Sequence, residues 1–202
     1  KRGTVTAEAY TKKFQDNQSK LYALLEKSEA GSGTRYAVIN KIAQNHLAVK
    51  DFESLSLFLT QWVEEHPDDP YNSYWLLMTA YSYLECNAEP IAEYYFERII
   101  NNYQDLMVQG QSIHFICYQH LINISKNPAN KIAYFNQLIS RFPNDVKATE
   151  LYYRLAIEYE KLGDWNLAIK SYKTFLEQDD ASSIQISGYP NAYLTAKQLI
   201  DF

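Results

Sequence analysis

The fold is decided by residues 152–175, which read YYRLAIEYEKLGDWNLAIKSYKTF. In the first half, Tyr152, Ala156 and Tyr159 recur at positions i, i+4 and i+7, which form one face of a helix. A break follows, and Asp164 can accept the free amides of a second helix as its N-cap. The second helix has an inner face of its own, formed by Ala168, Tyr172 and Phe175. These residues therefore predict a helical hairpin.

The same pattern occurs four times along the chain. A small residue marks each copy, and successive small residues are 37, 37 and 39 positions apart. A large side chain lies four positions before each small residue, and another lies three positions after it. The third copy is two residues longer, and we expect the surplus in the loop at 125–130, where an insertion is tolerated. The small residues are Ala43, Ala80, Cys117 and Ala156.

The small residue has a physical reason, because it lets the two helices of a hairpin approach to about 8–10 Å. Stacked hairpins bury a continuous core between neighbours. The sequence therefore predicts an all-α protein, a right-handed α-solenoid of about four helical hairpins with a flanking helix at each end. We expect a single domain over 1–202, divided into an N-terminal helix and joint at 4–33, repeats at 34–70, 71–108, 109–148 and 149–184, and a C-terminal capping helix at 185–202.

The two flanking helices lie outside the repeats. The first is predicted from about Ala7 to Glu29 and is followed by a glycine-containing joint at 30–33. It either caps the first hairpin or is half of a degenerate repeat, and both interpretations stay open. At the other end, a turn at 187–190 precedes a short amphipathic helix from Asn191 to Phe202. An open stack needs such a cover for its last apolar face.

Composition excludes several classes of protein. The 24 acidic and 19 basic residues leave a net charge of −5, the wrong sign for a nucleic-acid-binding surface. No apolar run reaches the roughly 18 residues of a membrane span. The two cysteines, Cys86 and Cys117, are too few for a disulfide scaffold or a zinc knuckle. The sequence thus favours a protein or peptide partner, with no nucleic acid and no membrane span.

The fourth copy resembles the tetratricopeptide repeat (TPR) family, whose motif spacings are matched between Tyr152 and Phe175. The likeness extends in weaker form over about 34–180. Phrases such as 96–100 and 135–143 are similar to those of TPR lipoproteins of bacterial envelopes, including the TPR component of the outer-membrane β-barrel assembly machinery. The resemblance implies a scaffold that grips partner segments, and a periplasmic or membrane-anchored setting with a lipid anchor in the precursor. A cytoplasmic setting stays open.

No familiar catalytic arrangement occurs in the sequence. His114 and His120 are six positions apart and so face different sides of a helix, and no zinc-binding His-Glu-x-x-His pattern is present. There is no nucleophile elbow and no phosphate-binding glycine loop. We therefore expect no enzymatic activity, no metal and no cofactor.

The first helices of the repeats would line a concave groove. Tyrosine favours interfaces because it offers a large rigid area and a hydroxyl at little entropic cost. The groove carries few Lys or Arg, so an apolar or aromatic partner segment is favoured, with a carrier of a lipid or small molecule, or an accessory subunit of solute transport, as the alternative. A tyrosine stripe is also typical of core, or of a face that a terminal helix covers. The predicted groove residues are Tyr74, Leu77, Tyr81, Leu84, His114, Tyr118, Leu121, Tyr153 and Ile157.

Overall fold

The computed structural model describes residues 7–143 and 148–201. Within this part of the chain there are ten α-helices and one two-stranded antiparallel sheet, so the predicted all-α fold is confirmed. The helices are α1 (Ala7–Lys27), α2 (Gly33–Ala48), α3 (Phe52–Glu65), α4 (Asn72–Glu85), α5 (Glu89–Asn102), α6 (Ile113–Ile124), α7 (Pro128–Arg141), α8 (Ala148–Lys161), α9 (Trp165–Leu176) and α10 (Ala192–Ile200). The strands are β1 (Met107–Val108) and β2 (Gln111–Ser112).

The hairpin turns share one backbone design. In three of them the middle residue has a positive φ, namely 58° at Lys50, 56° at Asn87 and 75° at Gly163. This left-handed conformation commonly ends a helix, and glycine adopts it without a steric penalty. In two of these three turns the next helix is capped by an aspartate, Asp51 or Asp164, whose carboxylate accepts the backbone N–H three residues ahead at 3.2 and 3.1 Å. Each turn therefore closes one helix and opens the next within three residues.

The four small residues lie where the repeat requires them. Ala43, Ala80, Cys117 and Ala156 sit on the first helix of successive hairpins, and each is 0% exposed. A larger side chain would have no room at these positions.

Helix α6 continues further past its small residue than the first helices of the other hairpins do. Ala80 and Ala156 lie five positions before the ends of α4 and α8, whereas Cys117 lies seven positions before the end of α6. The expected insertion in the loop at 125–130 is therefore wrong, because α7 already begins at Pro128. The two extra residues extend the helix, where each adds a backbone hydrogen bond.

The chain divides into two compact units, one up to His114 and the other from Phe115 onward. In the first unit, α1 packs on α2, and the hairpins α2–α3 and α4–α5 follow. In the second unit, α7 packs on α8, α8 on α9, and α9 on α10. Its core joins the last hairpin to the C-terminal segment. The buried side chains there are Tyr153, Ala156, Tyr172, Phe175, Ala181, Ile186, Ala192 and Ala196.

A β-hairpin that the sequence did not predict follows α5. Strands β1 and β2 are joined by Gln109 and Gly110, whose φ angles are 52° and 81°. Two consecutive positive φ angles are typical of the type I′ turn of tight hairpins. The Asp105 carboxylate holds the base, since it accepts hydrogen bonds from the Ser112 hydroxyl at 2.5 Å and the His114 N–H at 3.0 Å. The repeat limit drawn at 108/109 falls inside this hairpin.

Candidate functional site

The predicted groove residues divide between the two units. In the first unit, Tyr74, Tyr81 and Leu84 are half-buried, whereas Leu77 and His114 are buried. The backbone and ring of His114 are both engaged, because its Nε2 lies 3.0 Å from the carbonyl oxygen of Tyr103. Three of the five side chains therefore keep surface for a partner.

Tyr74 belongs to an aromatic cluster in the first unit. Its ring centre lies 5.1 Å from that of Trp75 and 6.1 Å from that of Tyr36. The ring of Tyr71 lies 4.4 Å from that of Tyr36 and completes the cluster. The Tyr74 hydroxyl donates to the side-chain oxygen of Asn40 at 3.4 Å. The cluster is thus a partly exposed aromatic surface with hydroxyl and amide groups beside it.

In the second unit, Tyr118 and Leu121 point into the core. Tyr118 is 1% exposed, its hydroxyl donates to Oε1 of Gln137 at 2.7 Å, and the Arg141 guanidinium lies 6.0 Å from its ring centre. Leu121 is 0% exposed. Neither side chain has surface to offer a partner in this conformation.

The extra residues of α6 offset its C-terminal half from that of α8. A shift of two residues turns a helix face by about 200°. When α6 is aligned on its end rather than on Cys117, the residues equivalent to Tyr153 and Ile157 of α8 become Ile116 and His120, and Asn123 becomes equivalent to Glu160. The spacing of the N-caps in the sequence locates the two extra residues. Asn127 and Asp164 are 37 positions apart, the spacing of copies without an insertion, so the extra residues lie before Asn127.

His120 and Asn123 line a cavity of the second unit, which we call the α6–α8 cavity. Its volume is about 530 Å³. Apolar side chains from α6, α7 and α8 form much of its wall, and amides of α6 are exposed beside them. Its lining includes Phe115, Gln119, His120, Asn123, Phe135 and Leu138.

The charged groups of the α6–α8 cavity neutralise one another. On α8, the Arg154 Nε donates to Glu150 Oε1 at 2.7 Å. Burial lowers the pKa of His120 below its usual value, so this ring is neutral at pH 7. The cavity therefore suits an uncharged group better than a phosphate or a carboxylate.

The last two predicted residues, Tyr153 and Ile157, line a different cavity, which we call the α8–α10 cavity. It measures about 380 Å³ and lies among α8, α9, α10 and the turn at 187–190. The turn places the ring of Tyr189 5.4 Å from that of Tyr153. Tyr153 is 3% exposed and Ile157 is half-buried, so the chain's own C-terminal segment covers this part of the predicted groove.

Two polar side chains of the α8–α10 cavity are hydrogen-bonded to each other. The Tyr172 hydroxyl donates to Oε1 of Glu160 at 3.1 Å. Burial, and then the Glu160 charge, raise the pKa of Tyr172 far above its usual value. Sequence reasoning missed this cavity because it depends on how the segment after α9 folds back.

Metal-binding clusters, membrane-spanning helices and disulfides are absent from the described part of the chain. No group of three or more His, Cys, Asp or Glu side chains there could hold a metal ion. Among the same residues, no helix is both long and apolar enough to cross a membrane. Cys86 is exposed and Cys117 is buried, and both are free thiols.

One protein-family model matches the last hairpin of the chain. Residues 150–182 match the family model described as a tetratricopeptide repeat. The match covers almost all of α8, the whole of α9 and the residues just after α9. No curated protein matches the chain. The match supports a tetratricopeptide repeat in this part of the chain.

Proposed function

We propose that this chain is a non-catalytic scaffold that binds a segment of a partner protein, and that the α6–α8 cavity is one of its binding sites. The observation that supports this proposal most directly is the cavity itself, which has a volume of about 530 Å³ and is formed by helices of consecutive hairpins. Phe115, Phe135 and Leu138 supply an apolar wall, and Asn123 supplies an exposed amide. Such a combination suits a large apolar side chain whose adjoining backbone needs hydrogen-bond partners.

Electrostatics supports an uncharged partner segment. Arg154 is already paired with Glu150, and His120 is neutral at pH 7. An acidic peptide end would find no unpaired cation among the described residues of this lining, and burying its charge would cost several kcal/mol. The partner segment is therefore apolar or aromatic, without charge at the point of contact.

The aromatic groove predicted from the sequence contributes a second surface to this proposal. Tyr74, Tyr81 and Leu84 are half-buried on α4 and retain area for contact. Tyrosine and tryptophan often dominate binding energy because they bury large rigid surfaces. The aromatic cluster around Tyr74 therefore belongs to the proposed partner-binding surface of the first unit.

A bacterial envelope is the proposed setting, as a periplasmic or lipid-anchored protein. Its support is the likeness of the phrases at 96–100 and 135–143 to envelope TPR lipoproteins. The alternative function, a carrier of an apolar small molecule or lipid, is favoured by one observation, since a cavity of about 530 Å³ falls in the size range of small-molecule sites.

The test begins with peptides selected for binding to the full chain from a displayed random library. Asn123→Arg places a long cation at the edge of the α6–α8 cavity without disturbing the core, because Asn123 is exposed. We expect it to weaken the selected peptides at least about tenfold. Asn136→Arg, also exposed but absent from the cavity lining, is the matched control and should leave binding unchanged.

Two results would contradict the proposal. Equal peptide affinity of the Asn123→Arg and Asn136→Arg variants would remove the cavity as the binding site. A small molecule that copurifies with the chain, is seen by native mass spectrometry and is lost on Asn123→Arg would instead support the carrier.

A further inference from the structure

The α8–α10 cavity is distinct from the proposed partner site, and its lining has a specific chemistry. Three tyrosines, Tyr153, Tyr172 and Tyr189, line it together with the carboxylate of Glu160. Lysine and arginine are absent from its described lining. The cavity therefore combines aromatic rings with one negative charge.

The negative charge of Glu160 is not neutralised by an ion pair within the described residues. Its Oε1 accepts the Tyr172 hydroxyl, which fixes the carboxylate in place. The neighbouring cations are paired with other carboxylates, because Lys161 pairs with Glu158 at 2.7 Å and Arg154 pairs with Glu150 at 2.7 Å. The carboxylate thus offers an unmatched charge to a ligand.

The rings are arranged at steep angles to one another. Tyr153 meets Tyr172 and Tyr189 at interplanar angles of 63°, with ring centres 5.5 and 5.4 Å apart. The Arg154 guanidinium carbon lies 5.9 Å from the centre of the Tyr189 ring, so this ring already interacts with a cation. The negative faces of aromatic rings attract cations, and they do so most strongly where water is excluded.

We infer that the α8–α10 cavity binds a small organic cation, with its ammonium group beside the Glu160 carboxylate and the half-buried ring of Tyr189. The volume of about 380 Å³ suits a ligand of that size. A neutral molecule of the same shape lacks the charge–charge attraction to the carboxylate and the cation–π attraction to the ring. The site therefore selects for charge as well as for shape.

Calorimetric titration of the full chain with choline tests the inference. We expect measurable binding of choline, and at least about tenfold weaker binding of 3,3-dimethyl-1-butanol, its uncharged isostere. Glu160→Gln keeps an acceptor for Tyr172 but removes the charge, and it should weaken choline about tenfold. Glu177→Gln, an exposed carboxylate of the same unit that is absent from the lining, should leave the affinity unchanged.

Tyr189→Leu provides a second variant, because it replaces the ring of a half-buried residue with an apolar side chain. It should also weaken choline, while thermal unfolding confirms that the variant folds. The inference is overturned if choline does not bind the wild-type chain, if the isostere binds equally well, or if Glu160→Gln and Tyr189→Leu bind choline like the wild type.

The ammonium group can come from a free molecule or from a lipid head group. Cosedimentation with phosphatidylcholine vesicles, with phosphatidylglycerol vesicles as reference, separates the two sources. Binding to phosphatidylcholine that is lost on Glu160→Gln identifies a head group as the ligand. Choline binding without such cosedimentation identifies a free cation.

Discussion

Trp62 donates a hydrogen bond from its indole nitrogen to Oδ2 of Asp69 over 2.7 Å. The same oxygen accepts the indole N–H of Trp75 at 3.3 Å, and Oδ1 accepts the backbone N–H of Tyr71 at 2.9 Å. Trp62 ends the first hairpin and Trp75 begins the second, so one carboxylate joins consecutive repeats. Hydrogen bonds to a charged acceptor are about twice as strong as neutral ones.

Asp69→Ala should therefore destabilise the first unit by about 2–3 kcal/mol, since two buried indole N–H groups lose their acceptor. Urea unfolding followed by tryptophan fluorescence measures the loss. Asp68→Ala removes an exposed carboxylate next to it and should change the free energy of unfolding by less than about 0.5 kcal/mol. Equal effects of the two variants would mean that the shared acceptor is not what stabilises the junction.

The fully buried small residues give a second prediction. Ala80→Leu and Ala156→Leu add volume where the helices of a hairpin touch, and each should cost about 1–3 kcal/mol. Ala37→Leu makes the same change at an exposed position of α2 and should be nearly neutral. Chemical unfolding of the three variants tests the repeat directly, because similar stability for all three would contradict close helix contact at Ala80 and Ala156.

The hairpins could be predicted from the sequence because their signals are local. Helical spacing, a small residue and an N-cap such as Asp51 or Asp164 all lie within about 20 residues of one another. The register of α6 could not be obtained from the small residues alone, because the spacing from Cys117 to Ala156 does not say whether the two extra residues lie in the helix or in the loop after it.

The sites were less predictable because they depend on contacts distant in sequence. Tyr189 reaches Tyr153 only after the segment following α9 folds back, and no local pattern specifies that path. The β-hairpin was missed for a related reason, since Gln109 and Gly110 are not the Asn-Gly pair that usually announces such a turn. Which tyrosines are core and which are surface was likewise decided by the packing of neighbouring helices.

Substitution of Tyr118 and of Tyr74, two tyrosines of the predicted groove, should destabilise the protein to different extents. Tyr118→Ala removes a fully buried ring and its hydrogen bond to Gln137, and it should cost about 3–5 kcal/mol. Tyr74→Ala shortens a half-buried side chain and should cost about 1 kcal/mol. Thermal unfolding by circular dichroism checks both values. A melting temperature unchanged by Tyr118→Ala would place this tyrosine on the surface instead.

Alkaline pH should destabilise the second unit through Tyr172. Burial and the Glu160 charge raise the pKa of this phenol in the folded state, so the folded chain holds the proton more tightly than the unfolded chain. Stability is therefore full below the unfolded value near pH 10 and falls as the pH rises above it. Tyr172→Phe should flatten this fall in urea unfolding measured across that range. An equally steep fall in the variant would show that other groups control it.

The C-terminal helix completes the core of the last repeat, and a matched pair of substitutions on α10 tests this. Ala196 is 0% exposed and packs in the cluster that contains Tyr153 and Phe175, whereas Leu194 is 59% exposed. Ala196→Glu would bury a carboxylate in this hydrophobic cluster and should cost about 3–5 kcal/mol. Leu194→Glu introduces the same charge into solvent and should be nearly neutral. If both variants unfold in urea like the wild type, α10 is not part of the folded core, and the α8–α10 cavity loses the wall that α10 provides.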